Sequence, residues 1–345
     1  MSGFLHKKFA LFKHNNLDIG IFFLSLAVIH GVAFHVMSIT EIAELRDCVS
    51  YLGLAEFDFD QYEVRKYRVI VPFLASFLDF LFGDLFQVLA PWSFSGDFSI
   101  SMSFLIVNNV ILALTGVLVF KYVFAHTQRF LPALLGLISL LTCRWTGFVA
   151  GLPLVDSLYL FVLVMVLLGL KTRDKKLIIA SIFLGPWAKE AFIFIAPIIF
   201  FYSELPKKRQ ILFFLLSGIL VFSARFLIDY YSNASQMASL KEDFMHFGEI
   251  PVSLQRFFSL HGLYEVFSVT GFWVLLVIPA LVKKSFTLYL KRFKAYEWWF
   301  IAAVMLQVFL STDLARMMYL LTPVLAVLWG IIISDLNLLK NRGLA

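Results

Sequence analysis

The sequence predicts an all-α fold, a polytopic bundle of membrane helices, and two observations support this class. First, 61% of the 345 residues are hydrophobic and only 15% are charged, whereas a soluble domain rarely exceeds about half apolar residues. Second, the apolar residues are grouped into stretches of about 20, the length of helix that crosses a bilayer. No stretch has the composition of a separate soluble domain, so residues 1–345 are expected to form a single transmembrane domain. The cysteines, Cys48 and Cys143, support neither a disulfide framework nor a zinc site.

Eight apolar stretches are predicted to be full spans. They are 19–38, 100–120, 129–147, 154–170, 210–230, 263–282, 296–311 and 316–335. Two further stretches, 69–90 and 177–203, are predicted to be re-entrant or half-helix segments. Asp79 and Asp84 interrupt the first of these, and two prolines favour breaks in the second.

The basic residues predict the topology. Most of them lie in clusters at 7–13, 121–129, 171–176, 206–210, 283–294 and 340–342. The positive-inside rule places all of these clusters in the cytoplasm if the two re-entrant stretches begin and end on one face. The sequence therefore predicts a multi-pass protein of the plasma (inner) membrane with both termini cytoplasmic. The interval 40–68 and a second loop, 231–262, are then extracytoplasmic, and the formal charge of +6 does not indicate nucleic-acid binding.

The interval 40–68 follows the first span and is the first long polar stretch. Four apolar residues recur there at helical spacing, which predicts an amphipathic helix on the membrane surface: Ile42, Leu45, Val49 and Leu52. Asp47 lies on the opposite, acidic side, with Tyr51 one turn beyond it. Further acids, Asp58 and Asp60, precede a basic end that includes Arg68. We expect Asp47 to take part in chemistry and the basic end to bind phosphate.

Ionisable residues also occur within or beside apolar stretches, where each costs about 2.5 kcal/mol or more and so suggests a function. Lys189 and Glu190 are adjacent in 177–203, and Asp313 and Arg316 share a helix face at the start of the last span. Asp156 begins the span at 154–170. The alternatives are structural: a buried ion pair for Lys189 and Glu190, and helix N-caps for the two aspartates.

Several of these features occur together in an order that resembles a known class of enzymes. They are an acid after the first span, Tyr67-Arg68-x-x-x-Pro72, Asn108 and Asn109, Asp156, the Lys189–Glu190 pair, and Asp313-x-x-Arg316. From about residue 19 to 335 the chain resembles the GT-C integral-membrane glycosyltransferases, especially bacterial members related to polyprenyl-phosphate-sugar-dependent mannosyltransferases. A GT-C-like bundle with about eight spans is therefore expected.

The resemblance implies roles for individual residues. A carboxylate in the first extracytoplasmic loop, here Asp47, would be the catalytic base, and Arg68, Lys189 and Arg316 would bind the donor phosphate. Supporting or substrate-binding roles fall to the remaining candidates: Tyr51, Asp58, Asp60, Tyr67, Asp156, Glu190 and Asp313. Asp58 and Asp60 are also rivals of Asp47 for the role of base.

The expected reaction is transfer of a sugar, with inversion, from a polyprenyl-phosphate donor to a glycan or lipid acceptor on the extracytoplasmic face. Because the donor already carries its leaving group, no cofactor is expected, and no divalent metal is assigned although the acidic loop could hold one. The alternative functions are a transporter or flippase of a lipid-linked glycan or anion, an O-antigen-type polymerase, and a structural membrane subunit.

Overall fold

The computed structural model describes residues 15–61, 65–89, 98–232, 246–282, 285–311 and 313–336, and every regular element in these ranges is helical. The first nine α-helices are α1 (Asn15–Ile39), α2 (Arg46–Ala55), α3 (Ile70–Leu89), α4 (Phe98–Thr127), α5 (Phe130–Leu141), α6 (Arg144–Gly151), α7 (Asp156–Thr172), α8 (Lys175–Ala188) and α9 (Ala196–Tyr202). The others are α10 (Lys207–Ser232), α11 (Ile250–Phe257), α12 (Leu260–Thr270), α13 (Val277–Val282), α14 (Phe286–Leu290), α15 (Ala295–Phe309), α16 (Leu314–Met318) and α17 (Thr322–Asp335). The predicted loop 231–262 includes residues 233–245, which lie outside the described ranges.

Short 3-10 helices connect several of these elements. They are Ile42–Glu44, Arg65–Tyr67, Glu190–Phe194, His246–Glu249, Gly271–Leu276 and Tyr319–Leu321. The helices α4, α7 and α17 form the centre of the bundle and have largely buried surfaces, whereas α10 lies at the periphery with most of its apolar side chains exposed. An exposed apolar surface of this kind is what a helix presents to lipid.

Six helical segments in the described ranges are long and apolar enough to cross a membrane. They are Asn16–Ile39, Ile70–Val88, Ser99–Thr127, Lys207–Ser232, Leu260–Val282 and Leu314–Asp335. The pair α5 and α6, bent by 58°, would make a seventh. The predicted spans 154–170 and 296–311 correspond to the shorter helices α7 and α15, of 17 and 15 residues. A multi-pass helical membrane protein is thus supported.

The two stretches predicted as re-entrant behave differently. The first, 69–90, is not broken: α3 is continuous from Ile70 to Leu89, and the Asp79 carboxylate within it lies 3.5 Å from the hydroxyl of Ser103 on α4. The second is broken as predicted, since α8 ends at Ala188 and the chain continues from Lys189 in extended geometry. Arg173 and Glu204, on either side of this stretch, are 3.0 Å apart, so the chain returns to its starting end as a hairpin.

Ion pairs define two ends of the bundle. The end that we call the basic end contains pairs such as Lys121–Asp18, Arg173–Glu204 and Arg292–Asp335, which involve residues of the predicted cytoplasmic clusters. It is closed internally by a buried chain of contacts among α4, α7 and α15. In this chain Lys171 donates to His126, and Nε2 of His126 lies 2.8 Å from the Glu297 carboxylate. The opposite end, which we call the site end, holds most of the candidate residues.

Candidate active site

The site end contains a compact group of charged side chains contributed by six separate parts of the chain. This ionic cluster consists of Asp47, Arg65, Arg68, Asp156, Lys189, Glu190, Arg225 and Arg316. It therefore brings together the predicted base, all three predicted phosphate-binding cations and two of the predicted supporting acids.

Helix α2 places Asp47 in its first turn, where the helix dipole stabilises a carboxylate. Of the predicted apolar face, Val49 is exposed and Leu52 is buried, and Cys48 and Tyr51 are buried as well. Asp47 and Tyr51 have charged partners inside the protein. The helix begins at Arg46, so Ile42 of the predicted pattern lies outside it, in the separate 3-10 turn Ile42–Glu44.

Arg316 links two carboxylates at the centre of the cluster. Its Nη1 donates to Asp47, while Nε and Nη2 lie 2.9 and 2.5 Å from one oxygen of Asp156. The second oxygen of Asp47 lies 2.5 Å from Nη2 of Arg65. Both oxygens of Asp47 are thus engaged by arginines, and Arg316 occupies the space between the two acids.

Lys189 lies at the break of the α8–α9 hairpin and completes the environment of Asp156. Its ammonium is 3.2 Å from the second carboxylate oxygen of Asp156 and 5.7 Å from the centre of the Tyr159 ring. The Asp156 side chain is only 2% exposed and that of Lys189 11%. A buried carboxylate with two cationic partners is the arrangement in which a charge survives away from water.

Glu190, the next residue, faces a different partner because the backbone changes direction at the break. Arg68 holds its carboxylate with Nη2 at 2.8 Å and Nε at 3.2 Å, and Arg225 approaches the other oxygen at 3.6 Å. Nη1 of Arg68 donates to the hydroxyl of Tyr51 at 2.9 Å. Arg68 therefore joins α2 to the hairpin.

A second ion pair supports the loop that carries Arg68. Lys66 lies 2.6 Å from Asp229 of α10, and the hydroxyl of Tyr67 donates to the same carboxylate at 2.7 Å. The guanidinium of Arg225 stacks 4.6 Å above the Tyr67 ring. Tyr67 thus has a positioning role, between the two charged residues of α10.

Asn108 fixes the turn that precedes Asp156. Its amide donates to the carbonyl oxygens of Leu152 and Leu154, both at 3.1 Å, and its own oxygen accepts from Ser157 at 2.5 Å. These bonds connect α4 to the turn and to the start of α7. By bonding to both sides of Asp156 along the chain, Asn108 helps to position its carboxylate.

The cluster carries a surplus of positive charge. Its five cations face three carboxylates, or four when the nearby Asp313 is included. Burial raises the pKa of Asp47, but Arg316 and Arg65 outweigh this effect and hold that pKa below its usual value. Burial raises the pKa of Tyr51 to about 12, so this hydroxyl stays protonated. The arrangement can accept an anion and contains one carboxylate that is ionised at neutral pH and partly accessible.

The remaining predicted residues lie outside the cluster. Asp58 closes a local turn, accepting from the Asp60 backbone at 2.9 Å and the Gln61 amide at 2.6 Å, and both acids are exposed. Asp313 caps α16, accepting from the Arg316 backbone at 3.3 Å, as the structural alternative predicted. Asp156, in contrast, makes no capping hydrogen bond and uses its carboxylate for the ion pairs.

Four of the charged residues described above were not selected individually from the sequence: Arg65, Lys66, Arg225 and Asp229. Two of them could have been found from the sequence. Arg225 and Asp229 are charged residues four positions apart in the apolar helix α10, so they share a face. In the described part of the chain no group of three or more His, Cys, Asp or Glu residues is arranged to hold a metal ion. Comparison with known proteins finds no match: no family model, no curated protein and no solved structure matches this chain.

Proposed function

We propose that the chain is an inverting membrane glycosyltransferase that moves a sugar from a polyprenyl-phosphate donor to a glycan or lipid acceptor at the ionic cluster. One observation carries the proposal: Asp47, Arg68, Lys189 and Arg316, which are far apart in sequence, converge in one buried, positively charged group. Burying so many charges is costly, and such costs are usually met at functional sites. The site end would face the extracytoplasmic side, because the basic clusters lie at the other end.

In the proposed reaction, Asp47 removes the proton of an acceptor hydroxyl as its oxygen attacks the anomeric carbon of the donor sugar. The bond between that carbon and the phosphate oxygen breaks on the opposite face, and the phosphate leaves with the electron pair. Arg316, Lys189 and Arg68 stabilise the negative charge that develops on it. Arginine suits bidentate contact with phosphate, and lysine acts as a point charge.

The arginine contacts of Asp47 give the donor a second role. With both carboxylate oxygens paired, Asp47 is a weak base in the structure as it stands. A donor phosphate entering the cluster competes for Arg316 and Arg65 and so frees an oxygen of Asp47 for the acceptor. The surplus of cations allows this exchange without leaving a buried carboxylate unpaired.

A flippase or transporter for a lipid-linked anion is the second candidate, favoured by the break at Lys189, because discontinuous helices are common in transporters. The buried contacts of His126 and Glu297 close the basic end, which is compatible with both candidates because an alternating-access transporter is also closed at one end in each state.

The test is a transfer assay in membranes that contain the chain, using radiolabelled mannose, glucose or galactose on a polyprenyl phosphate. Asp47→Asn is expected to lower the transfer rate by about 100- to 10,000-fold, because loss of a general base costs that much. The matched control is Asp58→Asn, an exposed acid of the same loop, which should leave the rate unchanged. Full transfer by Asp47→Asn would overturn the assignment, and donor translocation without transfer would favour the flippase.

A further inference from the structure

A cavity of about 620 Å³ lies apart from the ionic cluster, between the α5–α6 break and the segment 264–276. None of its lining residues belongs to the cluster. Its volume falls in the range of about 300–1,000 Å³ that is typical of small-molecule sites. The interior is largely apolar and is lined by aromatic and aliphatic side chains, among them Phe267, Phe272, Trp273 and Leu276.

Two backbone irregularities create this cavity. The bend of 58° between α5 and α6 turns one wall away from the bundle. In the facing wall α12 ends at Thr270, and Gly271, with a φ of +52°, begins the 3-10 turn Gly271–Leu276. The polar groups of the walls bond to each other, Trp273 Nε1 to Thr142 at 3.1 Å and Trp145 Nε1 to Ser268 at 3.0 Å. The space that remains is therefore apolar.

The position of the cavity can be given relative to the site end of the bundle. Its upper part lies toward the site end, because α11, just before α12, bonds to the segment preceding Asp313 through Ser253 and Ser311 at 2.9 Å. Its other part, at Leu276, lies where the 3-10 turn Gly271–Leu276 contacts α13 and α17. From Tyr264 to Leu276 the chain is roughly 20 Å long at normal helical rises, which is longer than the half-thickness of about 15 Å of the hydrocarbon core.

Arg144 stands at the upper part of the cavity. Its Nη1 donates to the Tyr264 hydroxyl at 2.7 Å, and in the described ranges no carboxylate lies within ion-pair distance of it. The arginines of the ionic cluster, in contrast, all have carboxylate partners. An exposed arginine with no carboxylate partner among the described residues, beside an apolar space, matches a molecule with an anionic head and a hydrocarbon chain.

We propose that this cavity binds an anionic diacyl phospholipid, with its phosphate on Arg144 and one acyl chain between the α5–α6 bend and the segment 264–276. The lipid fills the wedge that the two irregularities open, and its phosphate supplies a counter-charge that no carboxylate of the described ranges supplies to Arg144. This site is independent of the proposed sugar transfer, because no residue is shared with the ionic cluster.

The experiment reads the fluorescence of Trp273 in the full chain, reconstituted in phosphatidylcholine vesicles. A small fraction of the lipid is replaced by brominated phosphatidylglycerol or, in a parallel sample, by the same fraction of brominated phosphatidylcholine. The fluorescence of Trp273 is obtained by subtracting the fluorescence of the Trp273→Phe variant from that of the unaltered chain. Quenching is expected to be about fivefold more effective with the phosphatidylglycerol, as one arginine contributes about that preference.

Arg144→Gln should remove the preference, and Arg144→Lys should keep it. The matched control is Arg46→Gln, which removes another exposed arginine at the site end and should leave the preference unchanged. Because Arg144→Lys retains the charge, it distinguishes loss of binding from loss of folding. Equal quenching by the two brominated lipids, or an unaltered preference in Arg144→Gln, would overturn the proposal. So would displacement of the brominated phosphatidylglycerol by inorganic phosphate or by an equal amount of polyprenyl phosphate.

Discussion

Asp156 shows how strongly single residues are constrained in this protein. Its carboxylate is almost fully buried and has two cationic partners, Lys189 and Arg316. Removing one member of a buried ion pair leaves an uncompensated charge and costs about 3–5 kcal/mol. Asp156 is therefore needed for folding as well as for placing the cations.

Asp156→Asn, which keeps the shape and removes the charge, is expected to destabilise the protein by about 3–5 kcal/mol. Thermal unfolding of the purified protein in detergent measures the change. Glu204→Gln is the matched control, because its partner Arg173 is exposed and such pairs contribute about 0–1 kcal/mol. Equal melting temperatures for Asp156→Asn and the wild type would contradict the observed burial.

The lowered pKa of Asp47 predicts how the stability of the protein depends on pH. The pKa of this carboxyl is lower in the folded state than its ordinary value of about 3.9, so its ion pairs contribute fully above that value. The contribution is lost as the pH falls through the lowered pKa. The difference in melting temperature between the wild type and Asp47→Asn should therefore be constant from about pH 8 to 5 and shrink below about pH 4. A difference that already declines between pH 7 and 6 would contradict the ion pairs.

At the residue scale, the sequence identified most members of the cluster because charges in apolar stretches are exceptional. Lys189, Glu190 and Arg316 were found in this way. Partners could not be assigned from the sequence, since adjacent residues such as Lys189 and Glu190 point in different directions. In the sequence, Asp58 and Asp60 could not be distinguished from Asp47, because all three are acids of the same polar interval. Only the packing of the chain shows that Asp58 and Asp60 are in an exposed turn whereas Asp47 contacts arginines.

At the scale of elements, the α8–α9 hairpin is the feature that shapes the site. Pro186 lies within the last turn of α8, Lys189 adopts extended geometry, and the 3-10 turn Glu190–Phe194 leads back toward the basic end. The break places two oppositely charged residues in adjacent positions without letting them neutralise each other. Prolines in the sequence predicted the break, whereas α3 shows that acidic residues alone do not predict one.

The hairpin predicts that Arg173 and Glu204 are neighbours at one end. In Arg173→Cys/Glu204→Cys, a short bis-maleimide should link the two cysteines, and cleavage of the chain between them by a protease should leave the fragments joined. Arg173→Cys/Asp58→Cys provides the control, with one cysteine at each end of the bundle. If 177–203 crossed the membrane as one span, the first pair would give no link.

At the scale of the whole molecule, the distribution of charge separates two ends. The described members of the basic clusters meet at one end and the ionic cluster lies at the other, in agreement with the arrangement that the positive-inside rule predicts. Hydropathy was less informative about the lengths of individual helices. It predicted full spans at α7 and α15, but both helices are shorter than a full span. Helices inside the bundle are covered by protein, so their length is set by packing as well as by bilayer thickness.

The native cysteines are buried, which permits a labelling test of this arrangement. A membrane-impermeant maleimide added outside intact cells should label Asp58→Cys and leave Arg173→Cys unlabelled, because both side chains are exposed but at opposite ends. Inverted vesicles should give the reverse pattern. Labelling of both variants from the same side would contradict the proposed orientation.

The paired state of Asp47 has a consequence for the kinetics of the proposed reaction. As long as Arg316 and Arg65 bind both oxygens of Asp47, this carboxylate cannot accept a proton from an acceptor that binds without the donor. It cannot activate a water molecule either. Substrate addition is then compulsory in order, with the donor first and the acceptor second. The acceptor is activated only inside a ternary complex of the chain, the donor and the acceptor.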